Sequence, residues 1–155
     1  MSKVLEHSRG GPEARVELTR SPEDRLLRYS AGAFIVAVAI HGADHAHRGA
    51  GILTPQVRWG GLIQLVLGAF AVGLVMRRHR WAAIAAMVVG FASALLFSSA
   101  HLLPTWGAFS DPYLTPAAGA DVSWFSWVTA LLEVGADLLF GWAGLNAVLR
   151  TRAAA

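Results

Sequence analysis

The chain contains no cysteine. Disulfides, iron–sulfur clusters and thiolate metal sites are therefore excluded. Three methionines in 155 residues are too few to suggest a thioether site for copper(I). Lysine is almost missing: Lys3 is the one lysine among 13 basic residues. That is a bias of base composition and says nothing of function. Charge is scarce too. Charged residues make up 15% of the sequence, where a soluble domain carries about a quarter.

What is abundant is apolar. Hydrophobic residues reach 55% and gather into long runs, which points to membrane-crossing helices. The net charge of +3 does not point to nucleic acid, because the arginines flank the apolar runs. Membrane topology demands that placement, so the expected partner is the lipid bilayer.

The pattern predicts an all-α integral membrane protein, a four-helix bundle within residues 21–150. Residues 1–20 are polar and broken by Gly10, Gly11 and Pro12, and read as a flexible cytoplasmic tail. Ser21-Pro22-Glu23-Asp24 is a helix start: serine caps, proline suits the first turn, and acids face the positive helix end. Thr54-Pro55 repeats the signal, and Asp121 or Ser123 can cap the last helix. The helices are expected at about 22–47, 56–76, 81–103 and 122–149, with Arg77–Arg80 a tight turn and 104–121 an outer loop. The first span could instead be a cleaved signal sequence ending at Ala37-Val38-Ala39. Its apolar run before that point is too short for one.

Charge asymmetry sets the orientation. Lys3, Arg9, Arg15, Arg20, Arg25, Arg28, Arg77, Arg78, Arg80, Arg150 and Arg152 fall on one side, and only Arg48 and Arg58 on the other. Both termini are then cytoplasmic in a multi-pass cell (plasma or inner) membrane protein. Trp59, Trp106, Tyr113, Trp124 and Trp127 fall near the outer boundary, where amphipathic rings belong.

Membrane helices pack through small residues. Such stripes occur at Ala33 and Ala37 continuing to His41 and His45, at Gly60, Gln64 and Gly68, and at Ala82, Ala86, Gly90, Ala94 and Ser98. The fourth is Ser126, Ala130, Glu133, Asp137, Gly141 and Gly144. Leu95 and Phe97 lie off the centre of the third stripe. The ionisable residues lie on the stripes, so they should point into the bundle. At about 1.5 Å per residue, they converge in its outer half.

His41, Asp44 and His45 share one helix face, as do Glu133 and Asp137. An ionised carboxylate at the bilayer centre costs about 2.5–3.5 kcal/mol. With no lysine or arginine expected inside a span, the available partners are histidine, water or a bound cation. Imidazole plus carboxylate suits zinc, manganese or iron. The candidate metal ligands are His41, Asp44, His45, His101, Glu133 and Asp137, and Gln64 reads as helix–helix glue. A variant is b-type haem on His45 and His101.

Two further readings compete. One is a proton or ion relay, against which the cytoplasmic half shows few polar residues. The other is a non-catalytic accessory subunit that docks a membrane-protein partner or a second copy. No short catalytic motif is present: His-Gly-Ala-Asp-His is not the His-Glu-x-x-His signature, and an enzyme is the less expected outcome. The charge count yields the first test. A reporter fused after residue 155 should remain cytoplasmic, and a tag placed within 108–118 should react with an impermeant reagent added outside. Protection of that tag in intact cells would refute the orientation.

Overall fold

A computed structural model describes residues 22–153. It is all-helical. Helix α1 runs Pro22–Arg48, α2 Pro55–Met76, α3 Ala82–His101 and α4 Trp124–Ala153, with one 3-10 turn at Ala50–Ile52. All four long helices have the length and apolar character to cross a membrane. The expected tail at 1–20 and the cap at Ser21 lie outside the described residues.

The helix ends follow local chemistry. Thr54 Oγ1 accepts the Val57 N–H at 3.2 Å, with Pro55 in the first turn, so the α2 start reads as its sequence suggests. At the other end, the His79 N–H reaches Leu74 O and the Arg78 N–H reaches Val75 O. This is a Schellman stop. It holds Arg78 at φ 52, a position usually given to glycine. Ser123 Oγ accepts the Phe125 N–H at 3.2 Å and so caps α4. That helix starts at Trp124 and continues to Ala153, where sequence alone placed it at 122–149. Helix α3 stops at His101 and not at 103, because the chain turns there to run back over the bundle.

The α3–α4 contact is the most extensive, followed by α1–α4. Its basis is small side chains. Ala82, Ala86, Gly90 and Ala94 are buried on α3, facing Ala130, Gly141 and Gly144 on α4. A Cβ at Gly90 would lie 2.3 Å from Gly141 N, and one at Gly144 would lie 2.4 Å from Met87 N. The two backbones touch, as dispersion-driven association in lipid requires.

The α1 face differs from expectation. Ala33 is exposed, and Phe34 takes the inward position. Its ring packs on Phe140 at 5.1 Å and fills the space that a side chain at Gly68 would need. The buried face runs Leu27, Ala31, Phe34, Ala37, His41, Asp44, Arg48, in steps of three and four. Phe97 is a second correction: it is buried on α3, because its ring packs against two histidines. The outer face of α2, with Leu62, Ile63, Val66 and Phe70, is exposed. In a bilayer that is the ordinary state of a lipid-facing helix.

Replacing Gly90 by leucine should destabilise the protein by about 3 kcal/mol or more, since backbone on α4 must move. Leu95→Ala, at a position 68% exposed, should cost about 0.5 kcal/mol or less. Thermal unfolding in detergent distinguishes them, and equal effects would show that α3 and α4 do not meet here.

Candidate metal centre

Four side chains on one face of α1 enter the bundle at the end where α1 stops, at His41, Asp44, His45 and Arg48. Helix α3 adds His101, α4 adds Ser126 and Thr129, and the loop between α3 and α4 folds inward to add Asp111 and Tyr113. The loop is tied by backbone bonds from Asp111 N to Ala100 O and from Tyr113 N to His101 O.

Arg48 is the last residue of α1, and its side chain is 0% exposed. Sequence alone placed it in the outer loop and expected no arginine inside the bundle. The structure corrects this: Arg48 lies on the same face as Asp44 and His41, and its stem keeps the charge buried. Each of its three guanidinium nitrogens makes a hydrogen bond. Nε bonds Asp44 Oδ2 at 2.9 Å, and Nη2 bonds Asp111 Oδ2 at 2.7 Å. Nη1 reaches Asp111 Oδ1 at 3.5 Å, and Nη2 also donates to His45 Nδ1 at 3.0 Å. The guanidinium lies 5.0 Å from the centre of the Tyr113 ring. Tyr113 is buried within the protein. Burial pushes its phenol well above the ordinary range, so it stays a neutral O–H beside these charges.

The histidines form a compact cluster. Their ring centres are 4.5 Å apart for His41 and His45, 5.0 Å for His41 and His101, and 5.4 Å for His45 and His101. Phe97 packs against His41 and His101 at 4.7 and 4.4 Å. One ligand-capable nitrogen from each histidine lies within 4.8 Å of the other two.

Donor and acceptor chemistry assigns the protons. Thr129 Oγ1 donates to Ser126 O, so it accepts from His41 Nδ1 at 3.3 Å. The His101 Nδ1 faces the Asp111 carbonyl oxygen at 3.0 Å and must donate. Both rings then carry the proton on Nδ1 and present a bare Nε2. His45 is the opposite case. Its Nδ1 accepts from Arg48, so its neutral form carries the proton on Nε2. That nitrogen lies 2.9 Å from His41 Nε2, which accepts it. A directed chain results, from Arg48 through His45 and His41 to Thr129 and the Ser126 carbonyl.

Of the residues singled out from sequence, the structure brings His41, His45 and His101 together. Asp44 lies beside them, but its oxygens are taken by Arg48 and by Ser126 Oγ at 2.7 Å. Glu133 and Asp137 lie deeper along α4 and are not among the grouped ligands. Glu133 Oε1 accepts from Gln64 Nε2 at 2.7 Å, and the same amide donates to Ser93 Oγ at 2.6 Å. Gln64 thus ties α2 to α3 and α4. Arg48 was detectable in sequence, one turn beyond Asp44 on the same face. Asp111 and Tyr113 sit in an irregular loop with no periodicity and gave no signal.

No family model, curated protein or solved structure matches the chain. The fold and site define only a class, an all-helical chain whose four long helices suit a membrane and enclose a histidine cluster.

Truncating Arg48 to alanine leaves Asp44 and Asp111 buried without their cation. The expected loss is about 3–5 kcal/mol. Asp111→Asn should cost less, and the Arg48→Ala/Asp111→Asn double variant should be less destabilised than the sum of the two. Additive losses in a thermal-unfolding cycle would show that the pair does not act as a unit.

Proposed function

We propose that this is a multi-pass protein of the cell (plasma or inner) membrane, with both ends cytoplasmic, that holds a first-row metal ion in its outward-facing half. The ligands are His41, His45 and His101. The observation that carries the reading is the convergence of three imidazole nitrogens within 4.8 Å. The surroundings support it. A metal-binding histidine usually donates its other N–H to a carbonyl, carboxylate or water, which fixes its tautomer and orientation. His41 and His101 already do so, toward Thr129 and the Asp111 carbonyl.

An all-imidazole set suits zinc or iron better than manganese, which prefers carboxylate oxygen. Zinc is the first choice. Three protein ligands would leave a position for water or an incoming ligand. Haem gains little support: axial imidazoles must face each other across a wide macrocycle. Here His45 and His101 are tilted at 44° and His41 packs against both. A full relay gains none either, since the hydrogen-bond chain ends at a backbone carbonyl.

The test is metal content. Stripped protein in detergent, titrated with zinc and passed through a desalting column, should retain about one equivalent by elemental analysis, as a single three-histidine site requires. Its melting temperature should rise with zinc. His41→Ala and His101→Ala should each lose most of the bound zinc. If wild type retains none and neither chelator nor zinc moves its unfolding, the metal reading fails. The accessory-subunit reading, with the exposed α2 face as the docking surface for a membrane partner or a second copy, then replaces it.

A further inference from the structure

Deeper in the bundle lies a second polar group that the histidine reading leaves unused. Glu133 and Asp137, one turn apart on α4, are 2% and 0% exposed. Glu133 Oε1 is answered by Gln64. Glu133 Oε2 and both oxygens of Asp137 are buried without a well-formed hydrogen bond, the Ser93 hydroxyl being the polar group that approaches Asp137. Ion pairs do not rescue them: Arg48 spends its donors on Asp44, His45 and Asp111. Helix α3 seals the group from the side, because Gly90 sits against the backbone of Asp137 and Gly141.

Protonation alone does not resolve this. One proton shared between the two acids leaves a net negative charge buried in the bundle, and a second adds an O–H donor that needs an acceptor of its own. Three orphaned oxygens on two acids call for something that binds oxygen from outside the chain. We propose that Glu133 and Asp137 form a second cation site, for a hard divalent ion of the magnesium, calcium or manganese class. Two carboxylates balance two positive charges. Gln64 and Ser93 add neutral oxygen donors from α2 and α3. The set is all oxygen, whereas the outer cluster is all imidazole nitrogen, so the two sites select different ions. This site stands independently of the histidine reading.

Four stripped proteins in detergent test it: wild type, Glu133→Gln, Asp137→Asn and His41→Ala. Each is melted at fixed pH and ionic strength with magnesium, calcium, manganese or zinc chloride. At least one hard cation should raise the melting temperature of wild type and His41→Ala alike by several degrees. Both carboxyl variants should lose that shift. The zinc shift should follow the opposite pattern, lost in His41→Ala and kept in the carboxyl variants, so that failure of one site is separable from failure of the other. Absence of any hard-cation shift in wild type, or its survival in both carboxyl variants, overturns the proposal. Should those variants not fold, infrared spectra of wild type decide. Loss of the protonated-carboxyl band on saturation with the active cation supports the site, and persistence of that band refutes it.

Discussion

Arg48 carries a charge on a side chain with no exposed surface, so the surrounding residues must answer it. Asp44 does so from the previous turn of α1, and Asp111 does so from the loop between α3 and α4. The consequences spread from there. Holding Asp111 draws the loop down onto the helix ends, which places the Asp111 carbonyl over His101 and the Tyr113 ring against it. Donating to His45 Nδ1 sets the tautomer of that ring, and through it the direction of the hydrogen bond to His41. One guanidinium thus fixes a loop and a proton pattern together. A buried ion pair is weak evidence for stability, because desolvation offsets its attraction. Its stronger effect here is registration.

The second organising feature is the contact of α3 with α4 through glycine and alanine. Larger side chains would hold the two backbones apart and open a path from lipid to Glu133 and Asp137. With Gly90, Gly141 and Gly144 in place, polar groups on α4 have only the bundle interior to face. The polar residues then sort by helix and by depth. The imidazole nitrogens come from α1 and α3 at one end of the bundle, beside the Asp44 and Asp111 carboxylates that Arg48 holds, and the Glu133 and Asp137 carboxyls come from α4 further along the bundle. Gln64 and Ser93 bond the lower group to α2 and α3 rather than to the histidines.

Much of this was legible in the sequence, and the reasons are periodic. Long apolar runs define the four helices, capping signals mark the expected starts of α1, α2 and α4, and small residues in steps of four define the face of α3. The same periodicity put His41, Asp44 and His45 on one side of α1. It failed where a different signal overrode it. Counting Arg48 toward charge asymmetry removed it from the face to which its spacing assigns it. Ala33 looked inward because it is small, yet Phe34 goes in because Gly68 on α2 leaves room for its ring. Phe97 was placed off the centre of the small-residue stripe, yet its ring packs against two imidazoles. Asp111 and Tyr113 were beyond reach, since a loop held by tertiary contacts has no repeat to read.

The tautomers also bear on what occupancy of the outer site would require. His41 and His101 each offer a bare Nε2, but His45 keeps its proton on the nitrogen that faces His41 as long as Arg48 donates to its other side. An ion that used all three rings would have to displace that proton. The ring could then act as an imidazolate beside the arginine, or turn and release its bond to Arg48. In the second case Asp111, already 3.8 Å from His45 Nδ1, is the acceptor nearest at hand for a proton moved to that nitrogen. Metal capture at the histidines and the hold of the outer loop on Arg48 are therefore linked through one imidazole. A free-energy change at either must appear at the other.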